Sequence, residues 1–241
     1  MVHRESVSAR GNNTMKLLSV NVSLPKKGRH ARREVTTGIL KKPVRGSVML
    51  RTSNPDRDPD RDAQAYLVNR GGIYRSASAY SVEHYDHWKR ELGRDDFTFG
   101  QFGENLTVKG MLEDDIYIGD VFRVGHALVE VSHPRPPWFE LAIKMGMAQF
   151  PKLFLRSGRV GFYLRILAEG EVRAGDTFEL VKADPERITV GEMSHLLFFD
   201  PENVEGAKRA LRIKVLSPAW RSTFEERLIR AGVIGKHDST P

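Results

Sequence analysis

The chain has 241 residues, 40% of them hydrophobic and 29% charged, and it contains no cysteine. That length suits one sizeable core, or one domain with a small appendage, and the missing thiols exclude a thiolate nucleophile, a thiolate metal ligand or a disulfide within it. No run approaches the ~18 consecutive apolar residues of a membrane span, and the polar start has no secretory h-region, so a cytoplasmic protein with no membrane partner is expected.

The net charge of +7 is uneven, because residues 1–50 hold 11 Lys/Arg against 2 Asp/Glu and the remainder 27 against 29. Residues 1–14 read as a polar extension. A first strand runs over Met15–Val22, followed by strand-like segments at Val35–Leu40, Ser47–Thr52 and Ala65–Val68, each bounded by turn residues. The basic run Lys26-Lys27-Gly28-Arg29-His30-Ala31-Arg32-Arg33 reads as a patch for an anionic partner or as a solvated loop between two strands. No aromatic side chain interleaves it as a single-strand stacking platform requires, so the loop is the expectation and nucleic acid the weakest partner. The aspartate-rich stretch 54–62 lacks the glycine and terminal glutamate of a calcium loop and reads as a charged turn.

Tyr85, Trp88 and Leu92 form one apolar stripe on a helix over Ser81–Leu92. His84 and His87 lie three apart on it with no third ligand nearby, which suits a surface or edge pair better than a metal site. Short strands follow at Ile116–Ile118, Val121–Val124 and Ala127–Ser132. A helical stretch over 139–154 is expected to break at Pro151, and strands resume at Gly161–Leu167 and Thr177–Lys182. Beyond residue 185 the texture is helical. Thr189 and Glu192 form a capping-box pattern, 201–213 reads as a second helix, and Ser217-Pro218 opens a third that stops at Gly232.

The expected fold is therefore α+β. A β-barrel with helices at its ends spans 15–182, a three-helix extension spans 186–232, and a disordered polar tail covers 233–241.

No Walker loop, dinucleotide fingerprint, nucleophile elbow or zincin motif is present. Three clusters dense in glycine and proline remain: 69–75, 100–106 and 133–138. Arg70, Arg75 and Arg135 in them are suited to clamp a phosphate, and the glycines let backbone N–H groups approach the same anion. Turns with surface arginines are the alternative from spacing alone.

Several segments, in this order, resemble the MOSC domain, a β-barrel family related to the C-terminal part of molybdenum-cofactor sulfurases. They are Leu17–Val22, Thr37-Gly38-Ile39, Phe102-Gly103-Glu104-Asn105-Leu106, Ile118-Gly119-Asp120, Pro134-Arg135-x-Pro137 and Gly161-Phe162-Tyr163-Leu164-Arg165. The helical tail, with Ala210–Ile213 and Leu216–Trp220, resembles the branch of 6-N-hydroxylaminopurine resistance proteins, and also members in which the module precedes a flavin and iron–sulfur reductase.

The resemblance implies a molybdenum cofactor (molybdopterin) and an oxidoreductase acting on N-hydroxylated compounds. The family label also carries pyridoxal phosphate binding. Arg135, Asn105, Arg75, Arg70, Gly71, Gly72 and Trp138 are the implied cofactor contacts, with Glu104 supporting the turn through the backbone. Two positions depart from the family pattern: Trp138 stands where the metal-ligating cysteine is expected, and Arg70-Gly71-Gly72 replaces His-Gly-Gly. An indole offers one N–H donor and no metal ligand. The expectation is thus a MOSC protein of doubtful redox activity with no metal residue of its own. The alternatives are a non-catalytic binding module for a phosphorylated pterin or similar small anionic ligand, or a docking module for a separate flavin/iron–sulfur reductase.

Overall fold

A computed structural model describes residues 14–24, 26–30, 33–52 and 77–235. Arg70, Gly71, Gly72, Arg75, the charged turn at 54–62, the strand expected at Ala65–Val68 and most of the terminal extensions lie outside those residues.

The strands in chain order are β1 (Lys16–Val22), β2 (Lys26–His30), β3 (Arg33–Thr37), β4 (Lys42–Pro43), β5 (Val48–Leu50), β6 (Ala77–Ser81), β7 (Leu106–Lys109), β8 (Val121–Val124), β9 (Ala127–Pro134), β10 (Phe162–Ala168), β11 (Gly170–Val172) and β12 (Phe178–Lys182). Eight of them form one sheet in the order β12-β8-β9-β10-β6-β7-β1-β4. Its neighbours are antiparallel except β6 and β7, which run parallel with Ala79 opposite Leu106. Hydrogen bonds from Leu17 N–H to Asp176 O and from Phe178 N–H to Met15 O bring β1 back to the start of β12, so the sheet curls towards closure. Curling removes part of the open edge that a flat sheet would expose.

Among the described residues six helices accompany the sheet: α1 (Glu83–Leu92), α2 (Glu140–Met145), α3 (Phe150–Arg156), α4 (Val190–Phe198), α5 (Val204–Leu211) and α6 (Pro218–Arg230). None is long and apolar enough to cross a membrane. The apolar interior falls into two clusters. The larger joins the sheet, through Leu17, Val129, Phe162 and Leu164, to α4–α6, through Met193, Ala210 and Phe224. The smaller is aromatic: Tyr80, Tyr85, Trp88, Phe102, Phe150 and Phe154 lie under α1 and α3.

The linker between the sheet and the last three helices is pinned by Asp120. Its Oδ1 accepts the Asp184 N–H at 2.9 Å and the Arg187 guanidinium at 3.0 Å, and Arg187 lies 3.3 Å above the Tyr117 ring. Thr189 and Glu192 then cap α4 reciprocally, at 2.9 and 3.0 Å, as their spacing predicts.

Four local expectations change. The basic run is not a loop: Lys26–His30 pairs with Arg33–Thr37 as an antiparallel hairpin. Backbone pairing makes a strand of residues whose side-chain pattern gives no strand signal. Ile116–Ile118 forms no strand, only one bridge from Tyr117 to Thr189. The 139–154 stretch breaks at Gly146, left-handed at φ 67°, while Pro151 sits in the first turn of α3, where its missing N–H costs nothing. His84 is buried, with Nε2 at 2.6 Å from Glu113 Oε2, so it is an internal polar pair and not a surface histidine.

Candidate functional site

The 100–106 cluster forms a tight turn whose tip is Gly100–Gly103. Gly103 has φ 75°, and a Cβ there would lie 2.1 Å from Ile39 Cδ1. Only glycine allows both this backbone and this approach. Phe102 anchors the turn in the aromatic cluster, with its ring 4.7 Å from Tyr80 and 5.1 Å from Tyr85, centroid to centroid.

Glu104 is fully buried and ties the turn together. Its Oε1 accepts Gly100 N–H at 2.9 Å, Thr107 Oγ1–H at 2.8 Å and the Tyr85 hydroxyl. Its Oε2 accepts Phe102 N–H at 3.0 Å. The turn-supporting role expected of Glu104 is therefore observed. Burial first, and the neighbouring Glu104 second, push the Tyr85 phenol far above its usual range. Asn21 extends the network, donating from Nδ2 to Thr107 Oγ1 at 2.9 Å and accepting Ser19 Oγ–H at 2.8 Å.

At this turn two side chains each hold one buried donor without a hydrogen-bond partner among the described residues. Asn105 Oδ1 accepts Ser78 N–H at 3.1 Å and Ser78 Oγ–H at 3.0 Å, which fixes the amide orientation. Its buried Nδ2 has no hydrogen-bond partner among the described residues. Arg135 follows β9 and is 4% exposed. Its backbone N–H reaches Gly161 O at 3.1 Å, its Nη2 donates to Phe102 O, and its guanidinium stands 5.7 Å from the Phe154 ring, within cation–π range. Its buried Nη1 is also without a partner among the described residues. Both groups are held in place by their other atoms, and each leaves one N–H group unspent.

Lys41 completes the set, and sequence reasoning missed it. It is 3% exposed, and its backbone carbonyl lies against the turn, 3.1 Å from where a Cβ on Gly100 would stand. Burial above all, then the Arg135 guanidinium, hold its ammonium well below the usual lysine range, with Glu104 opposing and Lys144 reinforcing the shift. Lys144, on α2, donates to Lys41 O at 3.2 Å and is itself depressed, mainly by burial. A buried like-charged group is expensive unless something anionic balances it. No spacing in the sequence separates Lys41 from its exposed neighbour Lys42.

Trp138 lies between β9 and α2 and is 47% exposed, so half of its surface faces outward. His133, two residues before Arg135, is buried between the rings of Tyr163 and Trp220, at centroid distances of 5.1 and 4.8 Å, which docks α6 against β9 behind the site. Among the described residues, no three His, Asp or Glu side chains converge in a metal-holding group. Of the seven residues expected to contact a cofactor, the structure describes Asn105, Arg135 and Trp138. Asn105 lies at the end of the glycine turn, and Arg135, at the end of β9, reaches that turn through its hydrogen bond to Phe102 O.

A curled sheet followed by a three-helix extension is the architecture against which the comparisons stand. The MOSC domain matches residues 67–179 and the YiiM-like 3-alpha helix domain matches residues 188–230. The chain is 36% identical over 211 residues to YflK of Bacillus subtilis (strain 168), an uncharacterized protein, covering 88% of this chain and 93% of that one. The crystal structure of YiiM from Geobacillus stearothermophilus superposes with a TM-score of 0.75 at 34% identity, covering 89% of this chain and 99% of that one. A protein named Reductase from Gibberella moniliformis (strain M3125 / FGSC 7600) is 31% identical over 169 residues, which is 69% of this chain but 29% of that protein. The chain belongs to the MOSC domain family, in the group that carries the YiiM-like three-helix domain.

Proposed function

We propose that this chain is a binding protein for a phosphate-bearing small molecule of the molybdopterin class, held by Lys41, Asn105 and Arg135, without the metal chemistry of thiolate-bearing members. The observation that carries this reading is the pair of buried, oriented and unpartnered donors, Asn105 Nδ2 and Arg135 Nη1, beside a buried lysine. Buried donors of this kind suit a phosphate or another compact anion.

The pterin's phosphate therefore fits the residues present. The metal does not, because the chain offers no thiolate and the indole at the expected ligand position supplies no lone pair for coordination. Lys41, Asn105 and Arg135 would bind and orient the anionic end, while the aromatic cluster behind Arg135 keeps the guanidinium fixed.

Titration calorimetry with inorganic phosphate tests the anion site. Removing one charged hydrogen bond through Arg135→Met should weaken binding at least about tenfold. Equal affinity in wild type and variant would remove Arg135 from the site.

A second reading has its own observation. Phe198 and Phe199 are exposed at the end of α4, at 37% and 47%, and the Gibberella relative named Reductase carries this module as under a third of its length. These favour docking of a separately encoded reductase on the three-helix extension. Its test is co-purification of this chain with such a reductase, lost when residues 186–232 are deleted.

A further inference from the structure

We propose, on the basis of the Lys41–Asn105–Arg135 site, that Glu113 oriented by His84 is a positioning residue for anion binding. It sets Arg135 from a distance, by holding the segment that supplies two of that residue's contacts.

Glu113 is buried in the loop after β7, and three parts of the fold meet on it. Its backbone carbonyl accepts the Gly191 N–H of α4 at 2.9 Å, which pins the residue against the three-helix extension. Its Oε2 lies 2.6 Å from His84 Nε2 on α1. The His84 ring is itself fixed edge-on to Tyr80, with centroids 5.3 Å apart. Its Oε1 accepts the Gly161 N–H at 2.7 Å. With the backbone and one oxygen held, the carboxylate keeps one orientation, and the other oxygen marks where Gly161 must lie.

Gly161 ends the link 157–161 between α3 and β10, and both ends of that link reach Arg135. Gly161 O accepts the Arg135 N–H at 3.1 Å. At the other end, α3 carries Phe154, whose ring lies 5.7 Å from the Arg135 guanidinium. Between them Arg159 O accepts the Tyr80 hydroxyl at 3.0 Å, and the Trp88 indole N–H donates to that hydroxyl at 2.7 Å. Gly161 has φ 70°, and a Cβ there would lie 2.4 Å from Ala79 O, so the link rests directly on β6 and can move only away from it. A buried N–H that loses its acceptor is costly. Any shift of the link that finds Gly161 N–H a new partner therefore carries the Arg135 backbone with it. What Gly161 requires from residue 113 is an oxygen at one point, not a charge. A binding group is only as well placed as the groups that support it.

Titration calorimetry with inorganic phosphate on Glu113→Gln and Glu113→Leu separates positioning from plain stability. Glutamine keeps an oxygen for Gly161 and turns its amide to His84, whose ring accepts in its other tautomer. Its phosphate affinity should stay within about twofold of wild type, whereas leucine, with no acceptor, should weaken binding about tenfold. Arg227→Met is the control, because it loosens α6 from α4 and should leave affinity unchanged. Should the leucine variant not fold, Glu113→Asp gives the same contrast, since aspartate keeps the charge and falls one methylene short of Gly161. Wild-type affinity in a folded variant that lacks the Gly161 acceptor would overturn the positioning role and leave the anion site standing. An equal loss in the glutamine and leucine variants would also overturn it, by making the charge the cause. Absence of phosphate binding by the wild type would overturn the site and the positioning role together.

Discussion

Glu104→Gln is the perturbation whose consequence follows most directly from the geometry. The carboxylate accepts four hydrogen bonds, three at Oε1 and one at Oε2, in a place with no access to water. A glutamine keeps one oxygen. Its best orientation leaves that oxygen with Gly100, Thr107 and Tyr85 and turns the amide NH2 towards Phe102 N–H, donor against donor. Leaving one buried N–H unsatisfied costs about 1–3 kcal/mol, and bonds to a neutral acceptor are weaker than those to a charged one by about 1 kcal/mol each. Relief of the buried charge offsets part of this, so a net loss of about 3 kcal/mol is expected. For a chain of this size that lowers Tm by about 6–12 °C, measurable by circular dichroism. The same variant should weaken phosphate binding, because Phe102 O is what holds Arg135. A Tm within about 2 °C of wild type would refute the claim that Glu104 closes the turn.

Lys41→Met should do the opposite to stability and abolish binding. The Lys41 ammonium is depressed from 10.5 in the folded chain, so the unfolded chain binds more protons and wild-type stability rises with pH up to that value. Replacing the buried charge should stabilise the ligand-free protein by about 1–2 kcal/mol at neutral pH. That gain should shrink as pH approaches 10.5, and denaturant melts at several pH values without phosphate check both signs. Gly103→Ala places a Cβ on Ile39 at a left-handed residue and should cost about 2–4 kcal/mol, read from urea midpoints. Arg227→Met removes donors to the Leu196 and Leu197 carbonyls at 2.6 and 2.9 Å. It should cost about 1–2 kcal/mol and leave phosphate affinity unchanged, which thermal melts and calorimetry together would show.

The three-helix extension is legible because its signals are local. Thr189 and Glu192 cap α4 as a pair, and Pro218 opens α6. Arg135 is a candidate from its glycine- and proline-rich cluster and Asn105 only by resemblance, and nothing in their spacing says that a turn and a strand end will meet. Lys41 was not legible at all. Its burial is a property of the turn packed upon it, and Lys41-Lys42 lies in the most basic part of the chain, where solvated lysines are the rule. Strand β2 was missed for a related reason: its pairing rests on backbone groups, and its polar side chains carry no alternation. Trp138 is singled out by resemblance alone, as the position where the family pattern leads one to expect a cysteine. It is half-exposed between β9 and α2.

The most direct test of the account is the ratio of pterin to molybdenum in the chain purified from cells that make the cofactor, measured by fluorescence of the oxidised pterin and by metal analysis. The account predicts phosphorylated pterin without stoichiometric molybdenum, and a Trp138→Cys variant that gains the metal. Stoichiometric molybdenum in the wild-type chain would contradict it.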